Sequence, residues 1–205
     1  MNEKERRHFL FEVRAENDEK NGNYLSGRPI VYNSRTDLGF FDEIIKAGAL
    51  NGTDLKDVRF LVNHNTDMIP LARSRNNNEN STMQMSVDKG GMAIRVNLDT
   101  ENNTEARALY SAVQRGDIDG MSFMFTIDGE EWEDLKSDHP TRTITKIGKV
   151  FEVSAVTFPA YADTELSARS KTALDNARDA LERAKETPSD DVELEKLKAK
   201  YLYGI

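Results

Sequence analysis

From the N-terminus to Phe158 the apolar residues recur mainly at every second position, in short runs broken by Gly, Asn, Asp or Pro; after Pro159 they recur at helical spacing. A chain written this way reads as β-rich up to that point, with one face of several short strands buried together. His8 to Arg14 places Phe9, Phe11 and Val13 on one face. Asn21-Gly22 supplies a turn, and Tyr24 to Tyr32 reads as the next strand. Val58 to Val62, Met68 to Arg75, Thr82 to Val87 and Met92 to Leu98 read as further strands, the last two joined by the hairpin signal Asp88-Lys89-Gly90-Gly91. Gly120 to Ile127 alternates again. Asp128-Gly129 reads as a turn into a charged loop, Glu130 to Pro140. Thr141 to Ile147 and Val150 to Phe158 then read as two strands separated by Gly148.

Two segments interrupt this pattern with helical spacing. Phe40, Phe41, Ile44 and Ile45 predict a helix over residues 37–50. Ala106, Leu109, Tyr110 and Val113 predict another, capped by Asn103 and stopped by Gly116. Beyond Asp163 or Thr164, an Ala-rich stripe of Leu166, Ala173, Leu174, Ala177, Ala180, Leu181 and Ala184 predicts a helix to about Glu186. Asp190 with Glu193 opens a last short one. The expected fold is therefore mixed and mainly β: a barrel-like body of about seven or eight strands with a few helices, then a helical tail. The boundary falls at 163/164, giving a domain over 1–163 and a charged tail over 164–205.

Charge and composition remove several classes of function. The net charge is −8, and residues 1–163 hold 20 basic against 27 acidic side chains, so neither nucleic acid nor an anionic membrane is expected as a partner. There is no cysteine, which excludes disulfides, thiolate metal sites and a cysteine nucleophile. No apolar run approaches the ~20 residues of a membrane helix, and Met1 to Arg7 lacks the apolar stretch of a secretory signal. A soluble, intracellular protein is expected.

Without cysteine the candidate nucleophiles are hydroxyls, and a base has to come from three histidines. His8, at the start of a strand, and His139, in a charged loop before Pro140, read as surface imidazoles. His64 shares strand parity with Val58, Phe60 and Val62, so it is either a satisfied core histidine or a base held in a fixed pose. Ser122 follows Gly120 in a strand whose Met121, Phe123, Phe125 and Ile127 form the core face. It lies on the other face with Met124 and Thr126, as an ordinary surface serine or as an accessible, rigidly mounted nucleophile. Glu152 sits in the two-sided apolar run Val150 to Val156, sharing a face with Val150, Ser154 and Val156. A carboxylate there must be paired, either with an arginine such as Arg142 or with an imidazole that it orients. Hydroxyl, imidazole and carboxylate are the three groups of a serine hydrolase. One well-placed histidine among scattered carboxylates is a poor zinc site, and no His-Glu-x-x-His occurs.

Four stretches carry a resemblance: Phe41 to Leu50, Leu61-Val62-Asn63-His64-Asn65, Asp119 to Phe125, and Glu152-Val153-Ser154 on through Phe158-Pro159-Ala160-Tyr161-Ala162-Asp163-Thr164. In this order and spacing the chain resembles the HK97-type prohead maturation proteases of tailed bacteriophages, which are related to the herpesvirus assembly proteases. The resemblance implies an assemblin-like β-barrel. It places His64 as general base, Ser122 as nucleophile and Glu152 as third member of the triad. It implies a serine endopeptidase that needs no cofactor. Such an enzyme is packaged from the host cytoplasm into the immature prohead, where it cuts the scaffolding segment of the major capsid protein and also itself. Dimerisation or higher association through the barrel or the tail goes with such enzymes. Two positions depart from the pattern: Met124 stands where Gly is common after Met-Ser-Phe, and Leu71-Ala72-Arg73 stands where Leu-Gly-Arg is common. Two other readings are an inactive barrel that serves as a capsid-assembly or scaffold protein, and a hydrolase of small esters. The tail is read as scaffold-associating or self-cleaved, or else as a helix packed on the barrel.

Overall fold

The computed structural model describes residues 4–9, 13–18, 22–157 and 164–186, with the backbone alone at 4–9, 164–169 and 184–186. Eleven strands and two helices follow in chain order: β1 (Lys4–Phe9), β2 (Arg14–Asp18), β3 (Gly22–Val31), β4 (Arg35–Asp37), β5 (Asp42–Ile45), β6 (Asp57–Val62), β7 (Ala72–Arg75), β8 (Met83–Asp88), β9 (Gly91–Asn97), α1 (Thr104–Arg115), β10 (Gly120–Glu133), β11 (Thr141–Val156) and α2 (Thr164–Glu186). The expected mainly β architecture with a C-terminal helix is what the chain adopts. The last short helix, from Asp190, and the His8 side chain lie outside the described residues. Among the described residues no helix is long and apolar enough to cross a membrane.

The strands form two sheets rather than a ladder closed into one barrel. One sheet runs β1-β10-β11-β5-β4, with β6 also on β11 and β7 on β6; the other runs β2-β3-β9-β8. Their facing sides bury Leu25, Ile30, Met83, Met92, Val96, Phe60, Met121, Phe123, Phe125, Val150 and Val153 in one core. Two sheets with inward apolar faces satisfy the alternation as well as a barrel does. Hydrogen bonds cross between them at both margins: the Val13 amide donates to the Asp119 carbonyl, and the Arg73 amide to Thr82 Oγ1 at 2.9 Å.

β11 is the spine of the larger sheet. Its first part pairs in parallel with β5, its last part in parallel with β6, and its other edge is antiparallel to β10 throughout. The two strands expected around Gly148 are thus one, because Gly148 lies against Asp128 of β10. A Cβ there would sit 2.4 Å from Asp128 Oδ1, so glycine lets the strand pass without a break. Likewise Asp128-Gly129 is a bulge within β10, with register shifts on either side, and the expected charged loop continues as strand to Glu133.

The helix expected over 37–50 is absent; β4 and β5 take its place. Strand alternation buries Glu43 and Ile45 and leaves Asp42 and Ile44 partly exposed, while Phe40 is exposed. The reason lies far away in the chain. Arg142 of β11, itself buried, hydrogen-bonds Glu43 at 3.4 Å and also Glu130, and its guanidinium lies 5.6 Å from the Trp132 ring centre. A carboxylate that is 1% exposed needs that cation, and the strand register supplies it.

α1 forms as its caps dictate. Asn103 accepts from the amides of Glu105 and Ala106, Gly116 closes the helix in the left-handed region, and Ala106, Leu109 and Val113 face the core. In α2, Leu174 is buried and Arg178 donates to the carbonyls of Leu135 (3.0 Å) and Ser137 (2.9 Å), which ties the helix to the β10–β11 connection.

Candidate active site

The sheet register brings the three sequence-selected groups to one end of β11. Ser122 of β10 stands directly opposite Ser154 of β11, and Met124 opposite Glu152. Paired residues on neighbouring strands share a face, so Ser122, Ser154, Met124 and Glu152 all project from the side of the sheet away from the main core. Phe151 is an extra residue between the Phe125–Val150 and Met124–Glu152 pairs. That bulge turns Val150 into the core and removes it from the Glu152 face, where strand parity had placed it.

His64 reaches the same place by a turn rather than by strand parity. β6 ends at Val62, and Asn63 and His64 both adopt left-handed backbone, φ 50° and 55°. Such conformations cost ~1–3 kcal/mol each outside glycine and persist where neighbours over-determine them. Several bonds do so here. The Asn63 amide donates to the Ala155 carbonyl at 2.9 Å, and the Asn65 amide to Val62 at 3.0 Å. Asn63 Oδ1 accepts from the Thr157 amide at 3.0 Å, and the His64 amide donates to Ser154 Oγ at 3.1 Å. The turn bends the imidazole back over β11.

There His64 Nδ1 lies 2.6 Å from Glu152 Oε1, and Ser154 Oγ donates to Glu152 Oε2 at 2.5 Å. A carboxylate oxygen accepts, so the tautomer that fits this contact carries a proton on Nδ1. The carboxylate has two donors, one per oxygen, and that offsets the cost of burying it. Of the two readings of Glu152, the imidazole is its partner; Arg142 is held by Glu43 and Glu130 instead. Ser154 was visible in the sequence only as a face-mate of Glu152. Its i, i+2 spacing in a strand was the available sign that the two could bond.

The site is enclosed. Ser122 is 0% exposed, Glu152 2% and His64 8%. Ser122 is therefore not the accessible surface serine that alternation alone suggests, because the outward face of β10 and β11 is itself covered at this end. Met124, at the first departing position, is buried there too. At the second departing position Leu71 and Ala72 are buried, and Arg73 leaves the site to pair with Asp57 at 2.7 Å.

His139, as expected, is a surface imidazole. With Asp37 and Asp42 it offers three ligand atoms within 4.8 Å of one another. Arg35 already bonds Asp42 at 2.7 Å, however, and His139 Nε2 lies 3.2 Å from the same carboxylate. Burial pushes Asp42 upward, but the bonds from Arg35 and His139 outweigh it and hold the group below the usual carboxylate range. The cluster has the balance of an ion-pair network.

A family model described as Caudovirus prohead serine protease matches residues 10–179. No curated protein matches the chain. Among solved structures, the bacteriophage T4 capsid assembly protease is similar at 14% identity and a TM-score of 0.39, over 76% of this chain and 99% of that one.

Proposed function

The chain belongs to the Caudovirus prohead serine protease family, whose members process capsid proteins during phage capsid maturation, and we propose that Ser122, His64 and Glu152 carry out the hydrolysis. The observation that supports this most is the 2.6 Å contact between His64 Nδ1 and Glu152 Oε1, on the sheet face that also carries Ser122. In this reading Nε2 takes the Ser122 proton as Oγ attacks the scissile carbonyl. The imidazolium is stabilised by Glu152 and returns its proton to the leaving amine. Water, activated by the same nitrogen, then releases the acyl group. Glu152 fixes the tautomer.

Enclosure of Ser122 makes the described form a closed one, which substrate or shell assembly has to open. The substrate is read as the scaffolding segment of the major capsid protein, with self-cleavage as well, inside the prohead after packaging from the host cytoplasm. Association as a dimer or larger, through the body or the tail, belongs to the same reading. We take 1–163 as the protease domain and 164–205 as a charged tail that associates with the scaffold or is removed. Leu174 and Arg178 would dock its first part until then. The two sheets are read as the walls of an assemblin-like barrel, supported by the hydrogen bonds that join their margins.

A fluorophosphonate, which phosphonylates activated serines with loss of fluoride, tests the assignment. Mass analysis is expected to find the adduct on the peptide containing Ser122, with none formed in His64→Ala. An adduct on another serine, or equal labelling of the His64 variant, contradicts it.

A further inference from the structure

The chain is acidic, yet one strip of the sheet face that carries Ser122 and Glu152 is cationic. Arg59 of β6 is in register with Glu152 of β11, and Arg73 of β7 with Arg59, so two arginines continue that face toward the sheet edge. Arg73 bonds Asp57 at 2.7 and 3.0 Å, and Arg59 lies 3.4 Å from the same carboxylate. Arg75, exposed, stands opposite Asp57, and Lys149 lies 3.1 Å from Asp54, beside the exposed Lys56. The Arg73 hydrogen bond, with the charges of Arg59, Arg73 and Lys149, holds Asp57 below the usual carboxylate range, although burial acts the other way. These five cations gather around two carboxylates, and the surplus is positive in a chain of net charge −8. Its complement is in the sequence: residues 186–195 carry Glu186, Asp190, Asp191, Glu193 and Glu195 and no basic side chain.

A chain's own acidic segment falls short of its strip. From Val156 to Arg178 the chain reaches about 47 Å, and β11, which it retraces to meet Leu135 and Ser137, is about 50 Å long. α2 therefore runs along β11 away from Glu152, and Glu186 lies about 12 Å beyond Arg178. From Glu186, Lys149 is then about 38 Å away and Arg59 about 48 Å, against about 30 Å for residues 187–195 fully extended. We propose that the acidic segment 186–195 of a second copy docks on this strip, so that copies associate head to tail, with one chain's tail beside the other's Glu152. This gives the association proposed for the enzyme its two surfaces and rests on that reading; it does not depend on which side chain is the nucleophile. Polypeptide is favoured over nucleic acid because Asp54 and Asp57 stand among the cations, where a phosphate backbone would meet repulsion.

The test uses the full chain carrying Ser122→Ala, with intact mass confirming that the tail is attached, as an equal mixture of unlabelled and heavy-nitrogen-labelled protein. A water-soluble carbodiimide joins a carboxylate to a lysine amine as an amide and is itself hydrated to a urea. Mixed light–heavy pairs joining Lys56 or Lys149 to residues 186–195 are expected. Asp190→Lys with Asp191→Lys and Glu193→Lys, which changes no residue of the two sheets, is expected to weaken self-association in sedimentation by about tenfold. Arg59→Glu with Arg73→Glu is expected to do the same, and the two sets combined to restore it. Pairs formed only within one copy, association untouched by the tail variant, or association abolished by nuclease each overturn the proposal. A chain that stays monomeric at every concentration removes the association reading itself, so the two failures are told apart.

Discussion

His64 and Glu152 are 88 positions apart in the chain and meet at 2.6 Å. The meeting depends on β11, which takes β6 on one edge and β10 on the other, so that the end of β6 and the start of β10 flank the same two residues, Glu152 and Ser154. Ser154 completes the arrangement by accepting from the His64 amide and donating to the carboxylate.

Glu152→Gln keeps the shape and removes the charge. The site presents two donors, the His64 ring and the Ser154 hydroxyl, and a glutamine has one acceptor oxygen to meet them. The imidazole then loses its enforced tautomer. On the proposed assignment a kcat loss on the order of 10⁴ is expected, as for the carboxylate-to-amide change in serine-protease triads. Steady-state kinetics on a folded variant, checked by circular dichroism, measures it.

Ser154→Ala removes a positioning group. The His64 turn loses one of the bonds that hold it in left-handed backbone, and Glu152 loses a donor. A displacement of about 1 Å in such a site costs on the order of 100-fold in kcat, with KM little changed. The low-field proton resonance of the His64–Glu152 bond, followed by NMR, should broaden or move. A variant with full kcat and an unaltered resonance would leave Ser154 with a packing role only.

Arg142→Ala leaves Glu43 as a buried charge without its cation, and Glu130 loses the same partner. Destabilisation of ~3–5 kcal/mol is expected by urea titration, and the double change Arg142→Met with Glu43→Leu should recover most of it. The pair lies on β5 and the far half of β11, so the loss is one of folding and not of chemistry.

Asp88 tests the hairpin between β8 and β9. Hydrogen bonds from the Arg28 guanidinium, then from the Gly90 amide, lower its carboxyl to about 2. A depressed folded-state value means that the stabilisation is present above the unfolded value, ~3.9, and is lost as pH falls toward 2. Carbon-detected NMR should place the Asp88 titration near 2 in the wild type and return it toward the ordinary range in Arg28→Ala.

The parts of this molecule legible in the sequence are those set locally. Asn103 and Gly116 announce α1 because caps act within a turn. Glu152 stands out because a carboxylate in an apolar run requires a partner, and Ser122 and His64 stand out by residue type; the face that strand parity gave His64 did not hold, because a turn carries it. What local pattern does not carry is the partner's identity. Phe40, Phe41, Ile44 and Ile45 fit a helix, and the pairing that puts Ile44 and Ile45 in a strand is with β11, whose Arg142 stands 99 positions beyond Glu43. The bulges at Phe151 and Asp128-Gly129 break alternation and so imitate turns, while the sheet runs through them. The left-handed pair Asn63-His64 was hidden for the same reason: its supports are Ala155 and Ser154 of β11 and Thr157 just beyond it.

The most direct measurement is intact-mass analysis of the chain co-expressed with its capsid protein, in assembled proheads, comparing wild type with Ser122→Ala. Loss of one buried hydroxyl should alter stability by only about 1 kcal/mol, so the variant folds and assembles. Capsid-protein fragments are expected in the wild type and absent in the variant, with their masses locating the cut sites. The same fragments in both would show that Ser122 is not the nucleophile.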